Sequence, residues 1–383
     1  MSIDSMRLKD QYSIFIEVHN SSALHVGEDC YLTGSFNNWE IPGYKLGQIP
    51  PVGQTLAVRV DDMPVGHLDV KLTRGKWETC QAYGDGRIAD SISIDVPEKE
   101  LIRFHVKHWR DEFPNSTASP QVHVLADRFY LPNLDRHRRL WIYLPKEYDA
   151  HAKSYPVIYM HDGQHLFDEA VSIGRAGPVE WKVDETIDIS ASKAIVVGIE
   201  HADTYDERLD EFLIEPFGDL KSPKGLLYLQ DIVEAVKPYV DLHFRTLSDA
   251  EYTAVVGSSA GGLISLYAGL LYPNIFGTVG AFSPSLWMGH DLLGLYANRT
   301  AEAQSSVAKQ AYYFYAGGRE IRQDKNLGKV DLAMDMQEFI VFFKNQKIAD
   351  ATVDIDPHGR HSALYWQRVF QRFYDWWSTS LKF

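Results

Sequence analysis

Tyr252-Thr-Ala-Val-Val-Gly257-Ser-Ser259-Ala-Gly261-Gly262 is followed at once by Leu263-Ile-Ser-Leu-Tyr-Ala-Gly-Leu270. The first five residues are an apolar, β-branched run of the kind that forms a buried strand, and the last eight read as a helix. Between them stands G-x-S-x-G. In the order strand, tight turn, helix, this pattern pushes the central serine hydroxyl out above the sheet edge, and the flanking glycines leave room for the strained turn. The helix that follows aims its N-terminal amides and positive dipole end at any oxyanion forming there. Ser259 is therefore the expected nucleophile. The bland reading is a packed Gly-Ser turn, and neighbouring Ser258 lacks the central position between Gly257 and Gly261.

Working outward, Pro156–Met160, Ala194–Ile199, Val279–Phe282, Tyr312–Ala316 and Ala351–Ile355 are solid apolar runs, as expected of strands buried on both faces. Helical patterns lie among them: Leu229, Ile232, Val233, Val236 and Val240 share one face. So do Leu332, Met336, Phe339 and Phe343, and likewise Trp366, Val369, Phe370, Phe373 and Trp377. Val122–Leu131 and Arg138–Leu144 flank Pro132-Asn-Leu-Asp135 and read as a hairpin. Strands alternating with helices predict a doubly wound, mostly parallel α/β sheet. Residues 1–115 have another texture, with short strands broken by Gly, Asn, Asp and Pro and no sustained helical period. That predicts a small all-β sandwich. The polar, Pro-bounded Phe113-Pro-Asn-Ser-Thr-Ala-Ser-Pro120 marks the boundary, leaving 116–383 to the α/β domain.

A serine at such a turn takes its partners in the chain order Ser, acid, His. Three histidines follow it: His290, His358 and His361. His361 lies in Asp356-Pro-His-Gly-Arg-His-Ser-Ala363, between the last strand and the last helix, where the base must come; His358 is the rival and His290 reads as a surface residue. The strand Tyr312–Ala316 runs into Gly317-Gly-Arg-Glu320-Ile-Arg-Gln-Asp324, which offers Glu320, with Asp324 as rival, to hold the imidazole Nδ1–H. The plain alternative for Glu320 is a surface charge paired with Arg319 or Arg322. The oxyanion hole is expected from the amide of Ala260 together with Gly163 or Gln164, in the loop after Val157-Ile-Tyr-Met-His161. His161, Asp162 and His165 invite a metal reading, but no second ligand cluster accompanies them, so neither metal nor cofactor is expected.

Composition narrows the class. Of 383 residues 45% are hydrophobic and 23% charged, which excludes a disordered or fibrous chain. Fifty-two acids against 38 Lys and Arg give a net charge of −14, which repels phosphate backbones and argues against nucleic acid. No apolar run approaches membrane-spanning length. The segment Met1–Gln11 lacks the apolar core of a secretory signal, and two cysteines, Cys30 and Cys80, suit a reducing compartment. The expectation is a cytoplasmic protein with no membrane partner.

Tyr155-Pro-Val-Ile-Tyr-Met-His-Asp-Gly-Gln-His-Leu-Phe167, Ala194–Ile199, Val256-Gly-Ser-Ser-Ala-Gly-Gly262 and Phe282-Ser-Pro-Ser-Leu-Trp287 resemble, in order, the "putative esterase" family. That family holds esterase D, bacterial feruloyl esterases, mycolyltransferases and enterobactin esterases. The resemblance runs from about Val122 to the C-terminus. It implies an α/β-hydrolase fold, a small-molecule ester substrate, and Ser259, Glu320 and His361 at the nucleophile, acid and base positions. Tyr31-Leu-Thr-Gly-Ser-Phe-Asn-Asn-Trp39 in turn resembles the glycogen-binding module of AMP-activated kinase β subunits and branching enzymes. Asp69-Val-Lys71-Leu-Thr-Arg-Gly-Lys-Trp77 falls where that module has a lysine and a second tryptophan. This second resemblance implies a glucan partner held by Trp39, Lys71 and Trp77; the rival reading makes these residues core or interface. Three functions follow: a serine esterase, an acyltransferase of the same fold, or a glucan-binding protein with a hydrolase scaffold. The intact Ser259 and His361 favour the first two.

Overall fold

The structure is a computed structural model, and it describes all residues except 1–10, 84–87, 99, 114–115, 173–178, 203, 290–291, 293, 296–309, 325–327, 346–348 and 382–383. The chain divides into two units, Met1–Thr117 with Asp168–Val179, and Ala118–Phe167 with Glu180–Phe383.

In the first unit, β1 (Gln11–Asn20) lies between β4 (Thr55–Pro64) and β8 (Leu101–Val106), antiparallel to β4 and parallel to β8. A second sheet runs in the order β3 (Tyr44–Gln48), β2 (Asp29–Gly34), β5 (Gly66–Thr73), β7 (Ile92–Val96). A short pair, β6 (Gln81–Ala82) and β9 (His108–Trp109), forms a separate two-stranded sheet. Alternation decides which side is buried: Ile14, Ile16 and Val18 of β1 join Leu32, Val70, Leu72, Ile94 and Phe104 in one core, while Phe15 faces outward. The segment beginning at Asp168 belongs here because its carboxylates bind this unit's backbone. Asp168 accepts from Thr117 N and Ser116 Oγ, and Glu169 accepts from Ile88 N. Composition gave no sign of that. Cys30 and Cys80 are buried free thiols.

The second unit is built on an eight-stranded sheet in the order β10 (Val122–Leu131), β11 (Arg136–Tyr143), β13 (Ile195–Ile199), β12 (Val157–His161), β14 (Thr253–Ser258), β15 (Thr278–Phe282), β16 (Ala311–Gly317), β19 (Asp350–Asp356). The β10–β11 and β11–β13 pairs are antiparallel and every later pair is parallel. Residues of β12, β13, β14 and β15 are buried throughout, as their unbroken apolar runs require. Among the described helices, α1 (Val183–Ile189) and α2 (Tyr205–Phe212) are short. Next, α3 (Gly225–Asp231), a π turn (Ile232–Val236) and α4 (Lys237–His243) run on continuously. They are followed by α5 (Ala260–Leu271), α6 (Leu332–Asn345) and α7 (Ala363–Ser380). Two cores cover the sheet's two faces. One contains the α3–α4 stripe, Leu229, Ile232, Val236 and Val240; the other contains Val369, Phe370, Phe373 and Trp377 of α7. This is the doubly wound, mostly parallel sheet that the patterns predict, in the α/β-hydrolase fold that the family resemblance implies. No described helix is long and apolar enough to cross a membrane.

Candidate active site

Five neighbouring strands, β12, β14, β15, β16 and β19, deliver the site's residues at their carboxyl ends, where open α/β sheets place their clefts. We take β14 first. It ends at Ser258, and Ser259 adopts φ 57°, ψ −123°, the left-handed side of backbone space that a non-glycine residue enters only under tertiary constraint. The constraint is close packing. A Cβ on Gly257 would lie 2.5 Å from the carbonyl carbon of Gly261, so strand and helix meet backbone to backbone. Ser259 N donates to Phe282 O at 2.9 Å and Ser259 O accepts from Ser285 N at 3.0 Å, stitching the turn to the end of β15.

Past β16, Glu320 is buried (3% exposed) rather than a surface charge. Its Oε1 accepts from Gly317 N at 2.8 Å and from Ser283 Oγ at 2.7 Å. Its Oε2 lies 2.9 Å from His361 Nδ1, and His361 Nε2 lies 3.0 Å from Ser259 Oγ. Because the carboxylate can only accept, His361 carries its proton on Nδ1, which leaves Nε2 free to accept from the serine. Ser259, His361 and Glu320 thus form one continuous hydrogen-bonded line. With the Ser259 proton committed to His361, the Ser285 hydroxyl, 3.2 Å away, donates to Ser259 Oγ.

The loops carrying acid and base are fastened together: Gly318 N donates to Asp356 O at 2.7 Å and Arg319 N to Gly359 O at 3.0 Å. A Cβ on Gly317 would stand 2.3 Å from the Gly359 carbonyl carbon. The rival residues lie elsewhere. His358 is exposed, with Nδ1 3.2 Å from Arg319 Nη2. Asp324 ends β17 (Ile321–Asp324), which turns back antiparallel to β18 (Gly328–Asp331) and so leads away from the end of β16. His290 lies outside the described residues.

The expected oxyanion loop follows β12. Gly163, Gln164 and His165 form a 3-10 turn, and a Cβ on Gly163 would meet Gly198 C at 2.7 Å, so the turn presses on the β13 backbone. The Gln164 side chain accepts from His201 N at 3.3 Å. Ala260 opens α5, whose first amides have no intrahelical acceptor. The loop and the helix start are neighbours, since a Cβ on Gly261 would be 3.3 Å from Asp162 Oδ2. Burial alone would raise the Asp162 carboxyl, but Arg208, bidentate at 2.6 and 2.7 Å, holds it well below the usual carboxylate range. Burial pushes His161 down to about 4, and its Nδ1 pairs with Tyr228 Oη at 2.8 Å. Asp162 and the Nδ1 of His161 thus have protein partners. A separate carboxylate cluster, Glu180, Asp184 and Glu185, brings its oxygens within 4.8 Å of one another; burial and the Asp184 charge push the Glu185 carboxyl upward.

In the first unit, the Trp39 and Trp77 rings lie 6.3 Å apart at 39°, both half-buried. Lys71 does not share a surface with them. It is buried and its ammonium donates to Ala89 O at 2.5 Å, where the reading of Lys71 as a glucan ligand needs it on an exposed surface, a correction to that placement.

Sequence reasoning passed over Ser283, Ser285 and Trp366. The serines stand in Phe282-Ser-Pro-Ser-Leu-Trp287, directly after a buried strand, a stretch whose sequence marks the family resemblance but not their roles.

Comparisons with known proteins agree on the family. The family model described as "Putative esterase" matches residues 132–373. The uncharacterized protein YbbA of Bacillus subtilis (strain 168) is 29% identical over 157 residues, 39% of this chain and 58% of that protein. The iron(III) enterobactin esterase of Escherichia coli (strain K12) is 32% identical over 212 residues, 55% of this chain and 46% of that protein. The matched region thus spans about half the length of these two relatives. Among solved structures, the enterobactin esterase FES from Shigella flexneri, in the presence of enterobactin, superposes with TM-score 0.55 at 16% identity, covering 98% of this chain and 95% of its own. An IroE-like serine hydrolase from Shewanella oneidensis gives TM-score 0.53 at 18% identity, covering 68% and 79%. These likenesses concern the fold.

Proposed function

The chain belongs to the putative esterase family, and from that premise we propose that it is a serine carboxylic-ester hydrolase working through an acyl-enzyme on Ser259. The observation that carries this reading is the unbroken line Ser259–His361–Glu320, with contacts of 3.0 and 2.9 Å. Ser259 Oγ attacks the ester carbonyl while His361 Nε2 takes its proton. The amide of Ala260, with that of Gly163 or Gln164, receives the oxyanion, and Glu320 balances the imidazolium. His361 then hands its proton to the leaving alcohol. Water, deprotonated by the same imidazole, attacks the acyl carbon and restores Ser259. The His361 side chain is 33% exposed, so water reaches the base, which favours hydrolysis over acyl transfer. The enterobactin esterases among its relatives direct a substrate panel toward enterobactin, and the family resemblance toward feruloyl esters, besides simple p-nitrophenyl esters.

Ser259→Ala should remove nearly all turnover, a loss of about 10⁴-fold or more, with the fold retained. Fluorophosphonate should label Ser259 alone. Labelling of another serine with Ser259 untouched would end this reading.

A further inference from the structure

Ser283 is fully buried, carries φ 45°, and anchors its amide on Tyr315 O at 2.6 Å. Its hydroxyl meets two groups of opposite demand. Trp366 Nε1 lies 3.0 Å away and can only donate; Glu320 Oε1 lies 2.7 Å away and, ionised, can only accept. A hydroxyl has one proton and two lone pairs, so the indole takes a lone pair and the proton has one destination. We propose that Ser283, with its hydroxyl rotor set by Trp366, is the positioning residue for the acid: it commits its proton to Glu320 Oε1 and so leaves Oε2 to His361. The proposal rests on the triad reading above.

Gly317 N also donates to Oε1, at 2.8 Å. Two fixed donors on one oxygen stop the carboxylate from rotating about its last bond, which would otherwise trade Oε1 for Oε2 and lengthen the bond to His361. Trp366 contributes twice, because its ring also stands edge-on to His361, with centroids 5.0 Å apart at 87°. Trp366→Phe bears on the first role: it removes the N–H and keeps an aromatic ring, smaller than the indole, beside His361.

The test combines kinetics with a readout independent of turnover. In Ser283→Ala, kcat should fall about tenfold to a hundredfold, the range for losing a hydrogen bond to a charged group, with KM within twofold. Trp366→Phe should cost about threefold to tenfold. The double variant should be no worse than Ser283→Ala, since Trp366 acts through that hydroxyl. The low-field proton resonance of His361 Nδ1–H, assigned by its loss in His361→Gln, should shift or broaden in Ser283→Ala and to a lesser degree in Trp366→Phe. Wild-type kcat and an unmoved resonance in both variants would overturn the proposal, as would losses that simply add or that fall on KM. If Ser283→Ala fails to fold, Trp366→Phe alone decides by the same criteria. Activity surviving in Ser259→Ala would instead refute the triad reading, so the two failures are distinguishable.

Discussion

Glu320→Gln should be more damaging than its small change in shape suggests. The carboxylate takes three donors, Gly317 N and Ser283 Oγ on Oε1 and His361 Nδ1 on Oε2. An amide has one accepting oxygen. Placed at the Oε1 position, that oxygen satisfies Gly317 and Ser283 and turns the NH₂ toward His361. The imidazole must then present a bare Nδ1 and carry its proton on Nε2, where it can no longer accept from Ser259. The flipped amide would set its NH₂ against Gly317 N–H, leaving buried donors facing each other at a cost of about 1–3 kcal/mol. The unproductive tautomer therefore dominates, and the charge opposing the imidazolium is lost as well. For an acid-to-amide change of this kind, kcat falls by about 10³- to 10⁴-fold, or about 4–5.5 kcal/mol of barrier. Glu320→Ala leaves space for water to accept from Nδ1–H, so it should retain more activity than Glu320→Gln. The assay is kcat and KM on a short-chain p-nitrophenyl ester, with thermal melts to confirm folding. Glu320→Gln within tenfold of wild type would show that Ser259 and His361 work as a pair without the acid. Glu320→Ala below Glu320→Gln would refute the tautomer argument.

His361→Ala should abolish activity, whereas His358→Ala, whose side chain faces Arg319, should leave most of it; kcat of both on a short-chain p-nitrophenyl ester decides which histidine turnover needs. Stability should fall on acidification because burial holds His161 at about 4 and His165 likewise at about 4, while the unfolded chain takes up those protons near 6.5. Each group's contribution is intact above about pH 6.5 and is lost by up to about 3 kcal/mol as pH drops to 4, so urea midpoints should decline over that window and His161→Gln should flatten the decline. If the Trp39 and Trp77 pair still holds a glucan, the protein should be retarded in electrophoresis through glycogen and a Trp39→Ala, Trp77→Ala double variant should not. Equal mobility of the two would retire the glucan reading.

Much of the hydrolase unit was legible because its information is local. A strand buried on both faces must be continuously apolar, and a serine forced into the left-handed region must have glycines beside it; both leave marks within a dozen residues. Glu320 and His361 were legible by a weaker rule, that each follows the end of a strand at the same sheet edge. Ser283 was not, since its role depends on an indole 83 positions away and on a hydroxyl orientation that no pattern encodes. Lys71 misled for the converse reason. A lysine between two tryptophans resembles a binding motif in sequence, and only the fold reveals that its ammonium is turned inward to Ala89. The assignment of Asp168–Val179 to the first unit was equally hidden, because it depends on carboxylates reaching backbone amides more than fifty residues away.

The glycine pair at the acid and base loops bears on engineering. With Gly317 pressed on Gly359 and the acid loop donating two backbone hydrogen bonds to the base loop, the Glu320 and His361 segments form a single cassette, joined to the nucleophile turn by the Ser259–His361 bond and, through Ser283, by the end of β15. Grafting a base loop from another esterase onto this chain would succeed only if the acid loop travelled with it. A donor loop bearing any side chain at the position of Gly359 would pry the cassette apart before its histidine could be judged.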